Sequence, residues 1–122
     1  MSEFKHISVQ QTAELMQQQS VVIADIRDEQ SFMAGHIASS HHLTDGSLHR
    51  FMQQVDFEQP VIVVCYHGNS SQGAAQYLVN QGFEQVYSLD GGFESWRKQQ
   101  PFASGSEQEP SSRQDNSTAE ND

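Results

Sequence analysis

The amino-acid sequence predicts an α/β fold, a parallel sheet covered by helices on both faces. Three observations predict it. Short β-branched apolar runs alternate with segments of helical period. The strongest run, Val61-Ile62-Val63-Val64, is apolar at every position, as a strand buried on both faces requires. The segments of helical period open on Ser, Thr, Asp or Gly, the residues that start helices. Alternating strands and helices make βαβ units, and those units build parallel sheets.

The elements follow in order along the chain. Ser8 caps a helix from Val9 to about Gln19, with Val9, Ala13 and Met16 on one face. Val21-Val22-Ile23-Ala24 forms a strand ending at Asp25. Asp28 caps a short helix through Ala34, which Gly35 stops. His42-Leu43 is a brief strand. Thr44 or Asp45 then opens a helix whose apolar face carries Leu48, Phe51 and Met52. Pro60 precedes the Val61–Val64 strand. Ser70 or Ser71 starts a helix with Ala74, Ala75, Leu78 and Val79, and Gly82 takes its C′ position. Val86-Tyr87-Ser88-Leu89 is another strand. After the Gly91-Gly92 turn, Phe93 and Trp96 lie on one face of a last short helix and read as core aromatics. No internal repeat is visible.

The length of 122 residues suits one domain. Composition divides it into a folded domain over 1–100 and a disordered, acidic, polar tail over 101–122, in which Phe102 is the one large apolar residue. The net charge is −10, of which −4 falls in the tail and −6 in the domain. Such acidity opposes binding to nucleic acid or anionic membranes, which rests on Lys and Arg patches. Mean hydropathy is −0.65, and no apolar run approaches the roughly 18 residues of a spanning helix. No secretory leader is visible, and one cysteine excludes an intrachain disulfide, so a cytoplasmic location is expected.

The lone cysteine lies where chemistry is expected. Cys65 ends the central apolar strand, and Tyr66-His67-Gly68-Asn69-Ser70-Ser71 leads from it into a helix. Ligands bind beyond the carboxyl ends of strands in open parallel sheets. At a helix N-terminus, unpaired N–H groups and the positive dipole end favour a thiolate. Gly68 permits a tight turn that aims successive N–H groups inward as an anion nest, and small polar Asn69, Ser70 and Ser71 line it without filling it. The competing reading is a buried cysteine acting as a small hydrophobe.

The stretch Cys65–Ser71 resembles the active-site loop of rhodanese-type sulfurtransferases. Asp25-Ile26-Arg27 with Gly35-His36-Ile37 is similar to an upstream signature of that family. The segment Val86 to Trp96, with Asp90-Gly91-Gly92-Phe93 at its centre, is similar to a downstream one. The resemblance spans residues 4–100 and is greatest to single-domain thiosulfate sulfurtransferases. It implies a five-stranded parallel sheet, flanked by helices, and a persulfide on Cys65. It also implies that Asp25 and Arg27 are framework residues beside the site, though an Asp–Arg pair is equally a plain structural ion pair. The implied reaction moves the outer sulfur of thiosulfate to Cys65 and releases sulfite. The backbone of Tyr66 to Ser70 would serve as the nest. With no second thiol in the chain, the sulfur must leave to an outside acceptor: cyanide, a small thiol, or a dithiol protein such as thioredoxin.

The other histidines do not alter this reading. His67 is expected to line the loop rather than act as a base, which would need hydrogen-bond reach to the thiol. His36, His41, His42 and His49 show no zinc spacing, and a Cys65–His67 pair lacks further cysteine partners, so neither metal nor cofactor is expected. The loop carries no Lys or Arg, so a dianionic donor should bind weakly and react faster at moderate salt. Two other functions compete. Cysteine-dependent phosphatases and arsenate reductases use an Arg six residues after the cysteine, where this chain has Ser71. A non-catalytic module of the same fold would bind anions or partners, but such modules often lack the cysteine.

Overall fold

The computed structural model describes residues 3–105. Five parallel strands form one sheet in the order β1-β5-β4-β2-β3. They are β1 (Lys5–Ile7), β2 (Val22–Asp25), β3 (His41–His42), β4 (Val61–Val64) and β5 (Val86–Leu89). The helices are α1 (Val9–Gln18), α2 (Glu29–Ala34), α3 (Asp45–Gln54), α4 (Ser70–Asn80) and α5 (Gly92–Gln99). This is the α/β architecture the alternation predicts.

Strand β4 is central, and its uninterrupted apolar sequence fits that place. Val61 and Val63 face one core with Phe51, Ala75, Leu78 and Phe83. Ile62 and Val64 face the other with Ile7, Ile37, Phe93 and Trp96. Side chains alternate across a strand, so only a strand covered on both faces needs four apolar residues in a row.

Local signals place most helix ends. Ser8 accepts from the Gln11 N–H at 3.0 Å while Gln11 reaches back to the Ser8 N–H, a reciprocal capping box. Asp28 caps α2 through the Ser31 N–H. Thr44 is the N-cap of α3, and Gly82, at φ +116°, follows the C-cap of α4.

Three expectations need correction. Strand β1 has no counterpart in the sequence reading: it is three residues long, at the sheet edge, with only Ile7 buried. The brief strand expected at His42-Leu43 lies at His41–His42. The domain does not stop at Gln100. The Trp96 indole donates to the Pro101 carbonyl at 3.0 Å, and Phe102 packs edge-on against Phe93. His36 and Ala103 exchange two backbone hydrogen bonds, and the Gly105 N–H donates to Met33 O. Backbone pairing holds this segment, so its polar composition does not reveal it. The rest of the expected tail lies outside the described residues.

Candidate active site

The carboxyl edge of the sheet gathers the site. Cys65 directly follows β4, and the Ile26 N–H, just past β2, donates to the Val64 carbonyl at 2.9 Å. The chain then turns through Gly68, at φ +93°, into α4. A side chain at Gly68 would lie 2.9 Å from the Gly91 nitrogen, so the turn requires glycine for both its dihedral and its space.

Donors converge on the sulfur. The Gly68 and Ser71 N–H groups each lie 3.2 Å from Cys65 Sγ, and Ser71 Oγ lies 3.3 Å away. Ser71 is the second residue of α4, so its N–H has no intrahelical acceptor and the sulfur caps the helix. The Gln72 amide donates to the Gly68 carbonyl at 2.8 Å, which ties the turn to the first turn of α4. Burial pushes the Cys65 thiol up. The Ser71 hydroxyl and the N–H groups of Ser71, Gly68 and His67 outweigh burial, and the thiol ends below its ordinary value. Cys65 is only 3% exposed, so the thiolate is held by these donors rather than by water.

A second helix clamps the loop from behind. The Phe93 N–H donates to Cys65 O at 2.8 Å, and the Glu94 N–H donates to Tyr66 O at 3.1 Å. The first N–H groups of α5 are thus spent on the loop backbone. Gly91 and Gly92, at φ +76° and +62°, allow this approach.

A family model described as a rhodanese-like domain matches residues 8–99. The chain belongs to the rhodanese-like domain family. Among solved structures, a rhodanese-related protein from Thermoplasma volcanium is 24% identical, with 82% of this chain and 98% of that chain covered, at a TM-score of 0.69. The Alr3790 protein from Anabaena is 21% identical over 81% of this chain and 92% of that one, at a TM-score of 0.72. A Rhodopseudomonas palustris protein of unknown function, RPA3614, described as a possible tyrosine phosphatase, is 26% identical. That match covers 78% of this chain and 80% of that one, at a TM-score of 0.66.

Within this rhodanese-like domain, the residues expected at the site separate into distinct roles. Cys65, Gly68 and Ser71 form the buried centre. Of the backbone expected as a nest, Tyr66 to Ser70, the Gly68 N–H lies 3.2 Å from Sγ, and Ser71, outside that range, adds its N–H and its side-chain oxygen. Asn69 and Ser70 are exposed. His67 is exposed too; its backbone N–H serves the sulfur, while no hydrogen bond joins its imidazole to Sγ among the described residues. The Tyr66 hydroxyl bonds Asp28 and lies 2.8 Å from Ser31 Oγ, tying the loop to the start of α2.

Asp25 and Arg27 form a buried, bidentate pair, with the shortest contact at 2.8 Å. Arg27 also donates to Gly35 O at 2.6 Å and stacks over Phe93, 4.3 Å from its ring centroid. The pair therefore braces α2 and α5 beside the loop. His36 is fully buried, donates through Nδ1 to Phe32 O and stacks on the Phe32 ring. The His42 Nε2 donates to Arg27 O at 2.6 Å, whereas His41 and His49 are exposed. No group of three or more metal-ligating side chains occurs among the described residues. Nor is any helix among them long and apolar enough to cross a membrane.

Gly92 is the residue whose site role the sequence reading missed, since the Gly91-Gly92 pair reads there as a simple turn. A Cβ at Gly92 would overlap the Tyr66 carbonyl and lie 2.5 Å from Cys65 O. Gly92→Ala should therefore push α5 off the loop and cost more than about 2 kcal/mol, from backbone strain plus overlap. Urea unfolding together with the alkylation rate of Cys65 checks this; a wild-type midpoint and rate would contradict it.

Proposed function

We propose that the protein is a single-domain thiosulfate sulfurtransferase working through a Cys65 persulfide. The observation that carries this reading is the convergence of hydrogen-bond donors on Sγ at the carboxyl end of the central strand. The Cys65 thiolate attacks the outer sulfur of thiosulfate. A new S–S bond forms as the old one breaks, and its electron pair leaves with sulfite. The persulfide carries one negative charge, as the thiolate did, so the same donors serve both states without rearranging. A nucleophilic acceptor then takes the terminal sulfur and restores the thiolate. Because Cys65 is the chain's one cysteine, that acceptor is external: cyanide, a small thiol, or a dithiol protein of the thioredoxin kind. A reducing cytoplasm suits a free thiol of this sort.

The resemblance to a possible tyrosine phosphatase raises that reading as a rival. The loop argues against it. The position six residues after Cys65 is Ser71, fully buried, with its N–H and hydroxyl already directed at the sulfur. No Arg stands between Arg50 and Arg97 to grip a phosphoryl group, and Arg97 pairs with Glu94.

Incubation with thiosulfate followed by intact mass measurement tests the proposal. One added sulfur atom per chain is expected, removed by cyanide with release of thiocyanate. No adduct under any thiosulfate concentration, or hydrolysis of an aryl phosphate instead, would overturn it. The pH dependence follows from the lowered thiol. The thiolate is the reactive form, so alkylation by iodoacetamide should rise with pH and reach half its plateau below the midpoint of an unstructured cysteine peptide measured alongside. A midpoint at or above that value would mean that burial outweighs the donors.

A further inference from the structure

Ser88 lies in β5, far from the loop in sequence, and is fully buried. Its side-chain oxygen lies 2.7 Å from Ser71 Oγ, which in turn lies 3.3 Å from Cys65 Sγ. Ser71 is also 0% exposed, so water reaches neither hydroxyl. We propose that Ser88 is a positioning residue for the nucleophile: it donates to Ser71 Oγ and thereby commits the single Ser71 hydroxyl proton to the sulfur.

The argument is a count of protons and lone pairs. A serine hydroxyl has one proton to donate and can accept in return. When Cys65 is ionised, Sγ can only accept, so the Ser71 proton must point at it. Ser71 Oγ is then left as an acceptor, and Ser88 at 2.7 Å supplies the donor. When Cys65 carries its proton, the thiol can donate to Ser71 and Ser71 to Ser88, so the order of the chain reverses. Ionisation to solvent thus flips two buried hydroxyls together. Chained hydrogen bonds polarise one another in a low-dielectric interior, so the second hydroxyl strengthens the first. Removing Ser88 would leave Ser71 Oγ without a donor, so its bond to the charged sulfur would lose that polarisation and weaken.

This deepens the reading of Cys65 as a thiolate nucleophile and rests on it, but its test reads the thiol rather than sulfur transfer. Iodoacetamide alkylation is followed against pH in wild type, Ser88→Ala, Ser71→Ala and the double variant, with circular dichroism confirming the fold. Ser88→Ala should raise the midpoint by about a tenth to half a unit, the scale of a hydrogen bond to the charged form weakened rather than lost. In the Ser71→Ala background, Ser88→Ala should produce no further shift, because its path to the sulfur is gone. An unchanged midpoint in Ser88→Ala, or an equal shift in both backgrounds, would overturn the proposal. Should Ser88→Ala fail to fold, Ser88→Thr and Ser88→Val make the same comparison in two side chains of matched shape. The valine variant should then show the higher midpoint, and equal midpoints would reject the relay. Because no donor or acceptor of sulfur is present in these assays, a failed relay and a failed sulfurtransferase reading give different results.

Discussion

Cys65→Ala is expected to lose sulfur transfer entirely, by at least roughly 10³-fold, because the sulfur being moved is carried on the deleted atom. A thiocyanate assay with cyanide as acceptor measures the loss, and residual turnover above a few per cent would reject a persulfide route through Cys65. The variant should fold, but not without cost. In the native structure Sγ is the acceptor for the buried N–H groups of Gly68 and Ser71 and is hydrogen-bonded to Ser71 Oγ. Alanine leaves these donors facing an empty space, at about 1–3 kcal/mol for an unpaired buried group. The sulfur is part of the loop's hydrogen bonding, so a lowered urea midpoint is expected beside the loss of activity.

The second large effect is expected at Arg27. Arg27→Met keeps much of the side-chain volume but removes the partner of Asp25, whose carboxylate is 1% exposed and held by three bonds from the Arg27 guanidinium. Breaking one side of a buried ion pair costs about 3–5 kcal/mol, because the remaining charge keeps its desolvation penalty without its partner. The Gly35 carbonyl and the face of Phe93 lose the same guanidinium. Since Phe93 holds Cys65 O through its N–H, the damage should reach the loop. A domain of this size has about 5–15 kcal/mol in total, so Arg27→Met should bring unfolding into low urea. A loss below about 1 kcal/mol would show that Asp25 is compensated from elsewhere. By contrast, Arg97→Ala on α5 removes an exposed, solvent-screened pair with Glu94 and should leave the urea midpoint essentially unchanged.

The legible parts of this molecule share a cause. The Val61–Val64 run, the Ser8 and Asp28 caps and Gly82 act over a few residues, and their physics is written in adjacent side chains. Strand β1 was illegible because Lys5-His6-Ile7 has one buried side chain and takes its form from pairing with Tyr87-Ser88-Leu89. The segment Pro101–Gly105 was illegible for the same reason: it is held by backbone bonds to His36 and Met33, and composition does not record those.

The site divides along the same line. By itself the sequence determined that a lone cysteine follows the central strand and enters a glycine-bearing loop before a helix, because strand period, turn chemistry and helix start are local. It also determined that sulfur carried by this chain would have to leave to an outside acceptor, since no second thiol exists. Only the tertiary structure decided which donors reach the sulfur, that α5 grips the loop through Gly92, that Arg27 is consumed by Asp25, and that Ser88 stands behind Ser71. The grip of α5 on the loop and the Ser88–Ser71 contact join residues from different elements across the sheet's carboxyl edge. Such contacts depend on distance in space and on buried polar atoms finding partners, and a one-dimensional order of residues specifies neither until the chain has packed.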